Sequence, residues 1–150
     1  DVGTGFGHLV LELRLRGYKS FGIDLKDSLI RATNYMAKHL GFMPLVFHMK
    51  AQDLKFKDNS FDCVVMSYFL HDVKGEELAK SLDEAKRVLK QNGYLLIVEP
   101  LEFKQFNLYK DVVPEIEKRG FKLLKEKNLG MAFAHNVLTP LIMLLFQKQL

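Results

Sequence analysis

The amino-acid sequence predicts an α/β fold, a three-layer sandwich in which a mostly parallel sheet lies between helices. Short apolar runs alternate with helical stripes along the 150 residues, a pattern typical of repeated βα units. The run YLLIVE (94–99) is apolar on both sides of an extended chain, as a strand buried in a parallel sheet must be. A glycine-rich stretch, DVGTGFG (1–7), precedes the first helical stripe and has the composition of a strand-to-helix turn.

The composition fits one domain and narrows the classes of partner. The chain is 48% hydrophobic and 27% charged, which is ordinary for a globular protein. Its net charge of +4 comes from lysines spread among acidic residues, so a nucleic-acid partner is disfavoured. The single cysteine, Cys63, lies in an apolar run. We therefore expect a buried thiol, a cytoplasmic location, and neither a disulfide nor a metal site.

The longest apolar stretch is too short to cross a membrane. It runs from Val137 to Phe146 and is interrupted by Thr139 and Pro140. A membrane span requires roughly 20 apolar residues. We therefore predict no transmembrane segment.

The first element after the glycines is predicted to be a helix. The residues VLELRLR (10–16) alternate like a strand, but leucine, glutamate and arginine favour helices, and Gly17 suits a helix end. A helix over Leu9 to Arg16 is also what the context requires, because a strand, YKSFGID (18–24), follows at once.

The middle of the chain continues the alternation of helices and strands. Asp27 or Ser28 can cap a second helix, which buries one apolar stripe and ends at Gly41. The clearest helix spans about Gly75 to Gln91, with Leu89 as the last residue of its apolar stripe. Three further strands are predicted at LVFHM (45–49), FDCVVMSY (61–68) and YLLIVE (94–99).

The last third is less regular. It predicts a short helix near Val112 to Arg119 and strands at FKLLKEK (121–127) and LIMLLFQK (141–148), the last of them antiparallel to its neighbours. His135 and Asn136, which precede the last strand, are expected to be packing or surface residues.

The glycine-rich stretch predicts a ligand held by backbone groups. Glycine lets the backbone approach a ligand closely, and the following helix offers unpaired N–H groups. The spacing is G-x-G-x-G, and His8 stands where dinucleotide-binding folds place a third glycine. Asp24 ends the next strand, where its carboxylate can accept both hydroxyls of a ribose. Together the two features indicate a nucleoside without a pyrophosphate.

Four motifs occur in order over most of the first 100 residues. They are DVGTGFG (1–7), GID (22–24), AQDLKFKDNSFDCVVMSYFLHDV (51–73) and EAKRVLKQNGYLLIVEP (84–100). In that order they resemble E/D-x-G-x-G-x-G, an acidic strand end, DAExLPFxDxSFDxVxxxxxLHH and E-x-x-RVLKPGG-x-L-x-I-x-D/E. The set is similar to that of the class I S-adenosylmethionine-dependent methyltransferases, in the type 11 group that includes quinone-biosynthesis methyltransferases.

The resemblance implies a cofactor, S-adenosylmethionine, and the residues that hold it. The glycine loop, with Asp1, Gly3, Thr4 and Gly5, would border the methionine part of the cofactor. Asp24 would hold the ribose.

The resemblance also implies an adenine site. Leu25 would line the ring, and the backbone N–H of Ala51 would serve it. The family's Asp-Ala pair is matched here by Lys50 and Ala51, so the usual acidic acceptor for the adenine amino group is replaced. Gln52 or Asp53 is a candidate stand-in.

The family chemistry does not require a fixed catalytic motif. A sulfonium already makes the methyl group electrophilic, so the protein mainly aligns a nucleophile and excludes water. Ser67, at the mouth of its strand, would lie near the transferred methyl. Tyr68, His71 and Asp72 follow at the carboxyl edge of the sheet, where open α/β folds bind ligands, and they are candidates for acid–base roles.

The implied sheet is Rossmann-like, with seven strands in the order 3-2-1-4-5-7-6 and the last strand antiparallel. Only Asp1 and Val2 remain of the first strand. We therefore expect a truncated N-terminal strand, and either a longer chain or another segment in the gap.

The implied acceptor is a small molecule that reacts through O, N or C. The segment after the fifth strand, from Leu101 to Tyr109, is short and offers Phe103 and Phe106 as apolar candidates. Such a pocket is open to a bulky substrate, or to completion by a second subunit in a homodimer.

The residues leave other functions open. Lys50 motivates a non-catalytic scaffold or regulatory subunit with the same fold, and the fold also serves RNA and protein methyltransferases. A nicotinamide-dependent dehydrogenase is disfavoured by the glycine spacing.

Overall fold

Four α-helices and eight β-strands form the described part of the chain. The computed structural model describes residues 1–134 and 137–149. The helices are α1 (His8–Leu15), α2 (Asp27–His39), α3 (Gly75–Val88) and α4 (Val113–Glu117). The strands are β1 (Gly22–Asp24), β2 (Val46–His48), β3 (Phe61–Ser67), β4 (Leu89–Pro100), β5 (Glu102–Phe103), β6 (Phe106–Asn107), β7 (Phe121–Ala134) and β8 (Val137–Lys148).

The main sheet is mixed. β3 and β4 pair in parallel, and β8 lies between β4 and β7, antiparallel to both, which gives the order β3-β4-β8-β7. β1 and β2 pair in parallel as a two-stranded unit. Val2 links the two units, because its backbone bridges Ile23 on one side and Met66 on the other. The last strand is antiparallel, as predicted from the sequence.

The predicted seven-stranded sheet is not continuous over the described residues. Its first strand is represented by the bridges of Val2, and the strand predicted over 18–24 shortens to β1. Pairing between the two units comes from the start of the chain, where Val2 N–H donates to Val65 O at 2.9 Å and Gly3 N–H to Ile23 O at 3.0 Å. A strand extends only as far as its neighbours supply such partners.

Two apolar clusters stabilise these units. The larger one packs the stripe of α3 and part of α4 against β3, β4 and β8, and its fully buried members include Met66, Leu82, Ile97, Ile116, Leu144 and Phe146. The smaller one packs α1 and α2 near β2 and consists of Val10, Leu11, Ile30, Ala37, Leu45 and Val46. Each large aliphatic side chain contributes roughly 1.5–3 kcal/mol when fully buried.

Two helix ends differ from prediction. Lys26, not Asp27 or Ser28, is the N-cap of α2, and it makes no side-chain capping bond. Helix α3 ends at Val88, so Leu89 belongs to β4 and its predicted place in the helical stripe is wrong.

The early end of α3 has an identifiable cause. The buried Lys148 ammonium donates to the carbonyl oxygens of Lys86 at 2.9 Å and Leu89 at 2.7 Å. Carbonyls at a helix end need such donors, and this one comes from β8, too distant in sequence for local patterns to reveal.

The segment after β4 folds into a small hairpin of β5 and β6. Phe106 is 5% exposed and belongs to the large core, but it also lines a cavity of about 540 Å³ next to α3 and α4. Its role in an acceptor pocket stays a prediction. The side chain of Phe103, and His135 with Asn136, lie outside the described residues. In the described part of the chain no helix has both the length and the apolar character to span a bilayer.

Candidate functional site

The glycine-rich stretch forms a tight loop before α1. Gly3, Gly5 and Gly7 have φ values of 72°, 55° and 68°, in the region that favours glycine. A Cβ on Gly7 would lie 2.2 Å from Thr33 Cγ2, and one on Gly3 would lie 2.9 Å from Phe69 Cδ2. Among the described residues, no heavy atom lies within 4 Å of the corresponding point at Gly5. The loop is therefore packed at two glycines and open at the middle one.

Asp24 reaches this loop from the end of β1. Its Oδ2 accepts the N–H of Gly5 at 2.8 Å, and its Oδ1 accepts the N–H of Lys26 at 2.9 Å. A carboxylate offers about four lone-pair positions, so further hydroxyl donors can still be accepted. Asp24 is half-buried. The two features singled out in the sequence are thus in direct contact.

Four of the predicted residues line one cavity beside the loop. The cavity has a volume of about 360 Å³ and is lined by Asp1, Gly3, Thr4 and Ser67 together with His8. Thr4 Oγ1 donates to Asp1 Oδ2 at 2.6 Å, which holds both side chains in place. From the sequence, His8 was noted only as the replacement of a glycine, whereas the structure places it in the cavity wall.

The residues predicted around adenine follow the paired ends of β1 and β2. Leu25 is 55% exposed, whereas Ala51 is buried in the large core. Gln52 is half-buried. Asp53 accepts a hydrogen bond from Lys55 Nζ at 2.6 Å. Leu25 and Gln52 are therefore accessible to a planar ring, and Asp53 already has a cationic partner.

This set of groups fits S-adenosylmethionine by its chemistry. The carboxylate of Asp24 keeps acceptor positions for ribose hydroxyls, and the open side of Gly5 lets a ligand approach the backbone. The carboxylate of Asp1 suits an ammonium group such as that of a methionine moiety. These three features lie along one edge of the sheet, at the carboxyl ends of its parallel strands, where open α/β folds bind their ligands.

A buried carboxylate organises the end of β3. Glu99, near the end of β4, is fully buried. Its Oε1 accepts the N–H groups of Phe69 at 2.6 Å and Leu70 at 2.7 Å, and its Oε2 lies 2.7 Å from His71 Nδ1. The hydrogen bond to Glu99 raises the pKa of His71 above its usual value, against the opposing effect of burial.

The three acid–base candidates differ in exposure. Only 2% of the His71 side chain is exposed, against 68% of that of Asp72, and His71 Nε2 lies 3.7 Å from Asp72 Oδ1. Tyr68 is 42% exposed, and partial burial, with the nearby charge of Glu99, raises the pKa of its hydroxyl. Tyr68 and Asp72 therefore face solvent, whereas His71 lies behind them.

Glu99 was missed by the sequence analysis, although a signal for it was present. It is an acidic residue near the carboxyl end of a buried parallel strand, as Asp24 is at the end of β1. A charge in such a place requires partners. The same reasoning that singled out Asp24 would have found it.

Helix α3 holds the loop that follows β2. Arg87 donates to the carbonyl oxygen of Leu54 at 2.7 Å and pairs with Glu84 at 2.7 Å and Asp58 at 2.6 Å. Glu84 Oε2 in turn accepts the N–H of Leu54 at 2.7 Å. The loop carrying Gln52 is therefore tied to a helix of the large core.

A second cleft, of about 440 Å³, lies toward the amino ends of β1 and β3. Its walls are apolar and include Leu13, Phe21, Phe56 and Phe61. Cys63 also lines this cleft and is exposed, so the prediction of a buried thiol is wrong. The cleft occupies the space between β1 and β3 in which the bridges of the first strand do not continue.

Comparison with known proteins agrees with this geometry. A family profile described as "Methyltransferase domain" matches residues 1–97. The ubiquinone/menaquinone biosynthesis C-methyltransferase UbiE of Pasteurella multocida is 35% identical over 103 residues, which cover 62% of this chain and 37% of that protein. The 2-phytyl-1,4-naphtoquinone methyltransferase of Trichormus variabilis is 31% identical over 135 residues, covering 81% of this chain and 58% of that protein.

A solved structure shares the fold. A protein of Methanosarcina mazei described as a SAM-dependent methyltransferase superimposes with a TM-score of 0.87 at 24% identity, covering 100% of this chain and 91% of that one. The two curated relatives are longer, because this chain spans only 37% and 58% of their lengths.

Proposed function

The chain belongs to the methyltransferase domain family, with S-adenosylmethionine as its cofactor, and on this premise we propose that it transfers a methyl group to a small-molecule acceptor. The observation that carries the proposal is the contact between Gly5 N–H and Asp24 Oδ2 at 2.8 Å. It joins the glycine loop to the acidic strand end across two segments of the chain. We further propose that residues 1–150 act as a single domain in this reaction.

Each predicted binding residue is assigned a role in this proposal. Asp1, held by Thr4, and the backbone of Gly3 and Gly5 border the methionine part, and Asp24 accepts the ribose hydroxyls. Leu25 would cover one side of the adenine ring. Gln52 and the backbone of Ala51 would serve the ring's polar edge, and Ser67 would lie near the transferred methyl group. The cavity shared by Asp1, Gly3, Thr4 and Ser67 supports this arrangement.

The cofactor supplies an electrophilic methyl group on a sulfonium. Asp1, Gly3, Thr4 and Ser67 would hold the cofactor so that an acceptor atom could take the methyl group from sulfur, with the bonding electron pair staying on sulfur and the acceptor giving up a proton. The protein contributes by aligning the two reactants and excluding water, which together can lower the barrier by about 7–11 kcal/mol. A glycine loop fixed at Gly3 and Gly7 supplies the necessary rigidity.

Proton removal is assigned to the exposed edge of the site. Tyr68 and Asp72 face solvent there, whereas His71 is buried behind them against Glu99. We propose that an acidic acceptor, such as a phenol or a carbon acid that gives a stabilised carbanion, loses its proton to water or to Asp72. In this proposal His71 acts only indirectly, through Tyr68 and Asp72.

We propose that the acceptor is an aromatic ring of the quinol type. Relatives named for ubiquinone, menaquinone and phytyl-naphtoquinone methylation support this class. The half-exposed ring of Tyr68 at the edge of the site is compatible with a planar apolar acceptor. The nucleophile in such a ring is a carbon or a hydroxyl oxygen.

Transfer of a labelled methyl group tests this function. We expect label to pass from S-adenosylmethionine to 2-substituted 1,4-naphthoquinols kept in the reduced state, and the Asp24→Ala variant to lose this activity. Asp62→Ala is a matched control, because Asp62 is exposed at the amino end of β3 and pairs only with Lys90 among the described residues. Cofactor binding without transfer to any small molecule would instead favour the scaffold or macromolecular alternatives. Light scattering of the same samples shows whether the active species is a homodimer.

A further inference from the structure

The residue that follows β3 has an unusual backbone. Tyr68 has a φ of 52°, in the left-handed region that large side chains rarely adopt. A side chain in that region crowds the neighbouring carbonyl oxygen, so residues other than glycine, asparagine and aspartate are disfavoured there. Such strain persists only where the surroundings over-determine it, and it concentrates at functional sites.

Three hydrogen bonds hold this conformation. The N–H of Tyr68 donates to Val98 O at 2.9 Å, which continues the pairing of β3 with β4. The next two N–H groups, of Phe69 and Leu70, both donate to Glu99 Oε1. The chain is therefore fixed on both sides of the strained residue, and Glu99 supplies two of the three acceptors.

A buried carboxylate such as Glu99 is an unfavourable group for holding a turn if it contributes only to stability. A fully buried carboxylate loses its hydration, and that cost is offset only when all of its partners are in place. Here two N–H groups and His71 Nδ1 surround it. An ordinary turn would meet the same backbone needs with asparagine or glycine and no buried charge.

The turn separates two aromatic side chains. Phe69 packs inward against the glycine loop, since an added Cβ on Gly3 would lie 2.9 Å from its ring. Tyr68 is 42% exposed, and its ring stands edge-on to that of His71 with centroids 6.4 Å apart. Ser67, the residue before it, lines the cavity beside the glycine loop. The strained conformation thus brings an aromatic ring to the open side of the site.

We propose that Tyr68 contacts the methyl acceptor and selects a planar aromatic one, and that Glu99 is the positioning residue that holds Tyr68 in place. This inference rests on the proposed function, because it assigns the acceptor side of the same site. Neither residue makes one of the contacts assigned to the cofactor. Acceptor binding and cofactor binding should therefore respond differently to substitution.

The test measures two affinities and a melting temperature for each variant. 1,4-Naphthoquinone serves as the acceptor probe, titrated calorimetrically in the presence of S-adenosylhomocysteine, whose own affinity is measured separately. We expect Tyr68→Gly to weaken naphthoquinone binding at least tenfold, to leave the S-adenosylhomocysteine affinity unchanged, and to keep the melting temperature at or above that of the wild type. Tyr68→Phe retains the ring and should bind within twofold of the wild type.

Substitutions of Glu99 test the positioning role. In Glu99→Gln a carbonyl oxygen still accepts the N–H groups of Phe69 and Leu70, so naphthoquinone affinity should remain within about threefold. Glu99→Asp is one methylene shorter and cannot reach the same partners, so its naphthoquinone affinity should fall about as far as that of Tyr68→Gly. Its S-adenosylhomocysteine affinity should fall less, since Glu99 reaches the glycine loop only through Phe69.

Several results would overturn the inference. Wild-type protein that binds S-adenosylhomocysteine but not naphthoquinone contradicts it while leaving cofactor binding intact, whereas failure to bind either ligand contradicts the proposed function itself. Tyr68→Gly that melts lower and binds naphthoquinone like the wild type would make Tyr68 a structural residue. Equal binding by the Gln and Asp variants of Glu99 would remove its positioning role.

Discussion

Asp24 and Glu99 are both carboxylates near the carboxyl ends of parallel strands, but their surroundings differ. Asp24 is half-buried and uses its oxygens for two backbone N–H groups, which leaves acceptor positions for a ligand. Glu99 is fully buried, with three protein donors around it. The first is suited to bind a ligand directly, and the second to shape the chain around the site.

The pair of His71 and Glu99 predicts a pH-dependent stability. The pKa of His71 is raised in the folded state, first by the hydrogen bond to Glu99, above the value of 6.5 usual for histidine. A group with a raised folded-state pKa contributes stability that is complete below its unfolded pKa and is lost as the pH rises through the folded pKa. The free energy of unfolding should therefore fall, from this source, as the pH rises above 6.5.

Urea denaturation of wild type and His71→Gln, at pH values from about 6 to about 9, measures this contribution. We expect the stability difference between the two proteins to shrink as the pH rises. A difference that stays constant across the range would mean that His71 does not titrate as a partner of Glu99.

Substitutions of glycine separate binding from backbone strain. Gly5 and Gly17 both have positive φ and open space around the missing Cβ, but only Gly5 lies in the glycine loop. Alanine at either position should cost about 1 kcal/mol of stability, because alanine does not favour that region. Only Gly5→Ala should also weaken S-adenosylhomocysteine binding, by about tenfold or more, since its methyl group enters the space left for the ligand.

Thermal melting and calorimetric titration of the two variants check this prediction. Equal affinities in Gly5→Ala, Gly17→Ala and the wild type would show that the open side of the loop does not face the cofactor.

Among the elements, α3 has a role beyond the core. Its Arg87 and Glu84 bind the backbone of the loop after β2 at Leu54, and Arg87 also pairs with Asp58. We expect Arg87→Ala to lower the free energy of unfolding by about 2 kcal/mol, since several hydrogen bonds to a charged group are lost together. It should also weaken cofactor binding through the loop that carries Gln52.

Lys80→Ala on the same helix is the matched control. Lys80 forms an exposed pair with Glu76, and water and salt screen such pairs so that they contribute little to stability. Urea denaturation and S-adenosylhomocysteine titration of both variants make the comparison. A loss in Arg87→Ala no larger than in Lys80→Ala would mean that the loop is held by other contacts.

The elements also show how far the sequence could be interpreted. Helices α1, α2 and α3 and the strands β2 and β3 follow local periodicity and turn residues, and all were predicted to within a few residues. The end of α3 at Val88 comes earlier than predicted, where carbonyl oxygens accept from Lys148 of β8, a contact that local patterns do not reveal. β1 is shorter than the predicted strand over 18–24, and its length likewise depends on which backbone groups pair with it.

The candidate site likewise has features that local sequence patterns predict and features that depend on distant contacts. The glycine loop and Asp24 could be predicted because glycine spacing and an acidic strand end are local patterns. The buried state of His71 and the burial of Phe106 in the core could not, since both depend on contacts between segments distant in sequence. The strain at Tyr68 has no sequence signal, because tyrosine is not a residue that favours positive φ.

At the scale of the whole molecule, the fold consists of two cores that meet beside the candidate site. The small cluster around α1, α2 and β2 is separate from the large cluster, and Val2 supplies the bridges between the two sheet units. The glycine loop contacts both sides of this junction, because Gly3 lies against Phe69 and Gly7 against Thr33 of α2, and Asp24 accepts the N–H of Gly5. A ligand that contacts both should therefore stabilise the junction.

Amide hydrogen exchange tests this expectation. Without ligand, amides of β2 and α2 should exchange faster than those of β4 and β8, because a smaller core opens at a lower free energy. Saturating S-adenosylhomocysteine should slow exchange in the first group more than in the second. Uniform exchange, with a uniform response to ligand, would mean that the two cores open as one unit.

Calorimetric titration with S-adenosylhomocysteine shows whether the glycine loop and Asp24 together form the cofactor site, as we propose. Wild type and Asp62→Ala should bind alike. Asp24→Ala should bind about 10- to 100-fold more weakly, since hydrogen bonds from ribose hydroxyls to a carboxylate contribute about 1.5–3 kcal/mol each. Unchanged affinity in a folded Asp24→Ala variant, or no binding by the wild type, would contradict the account.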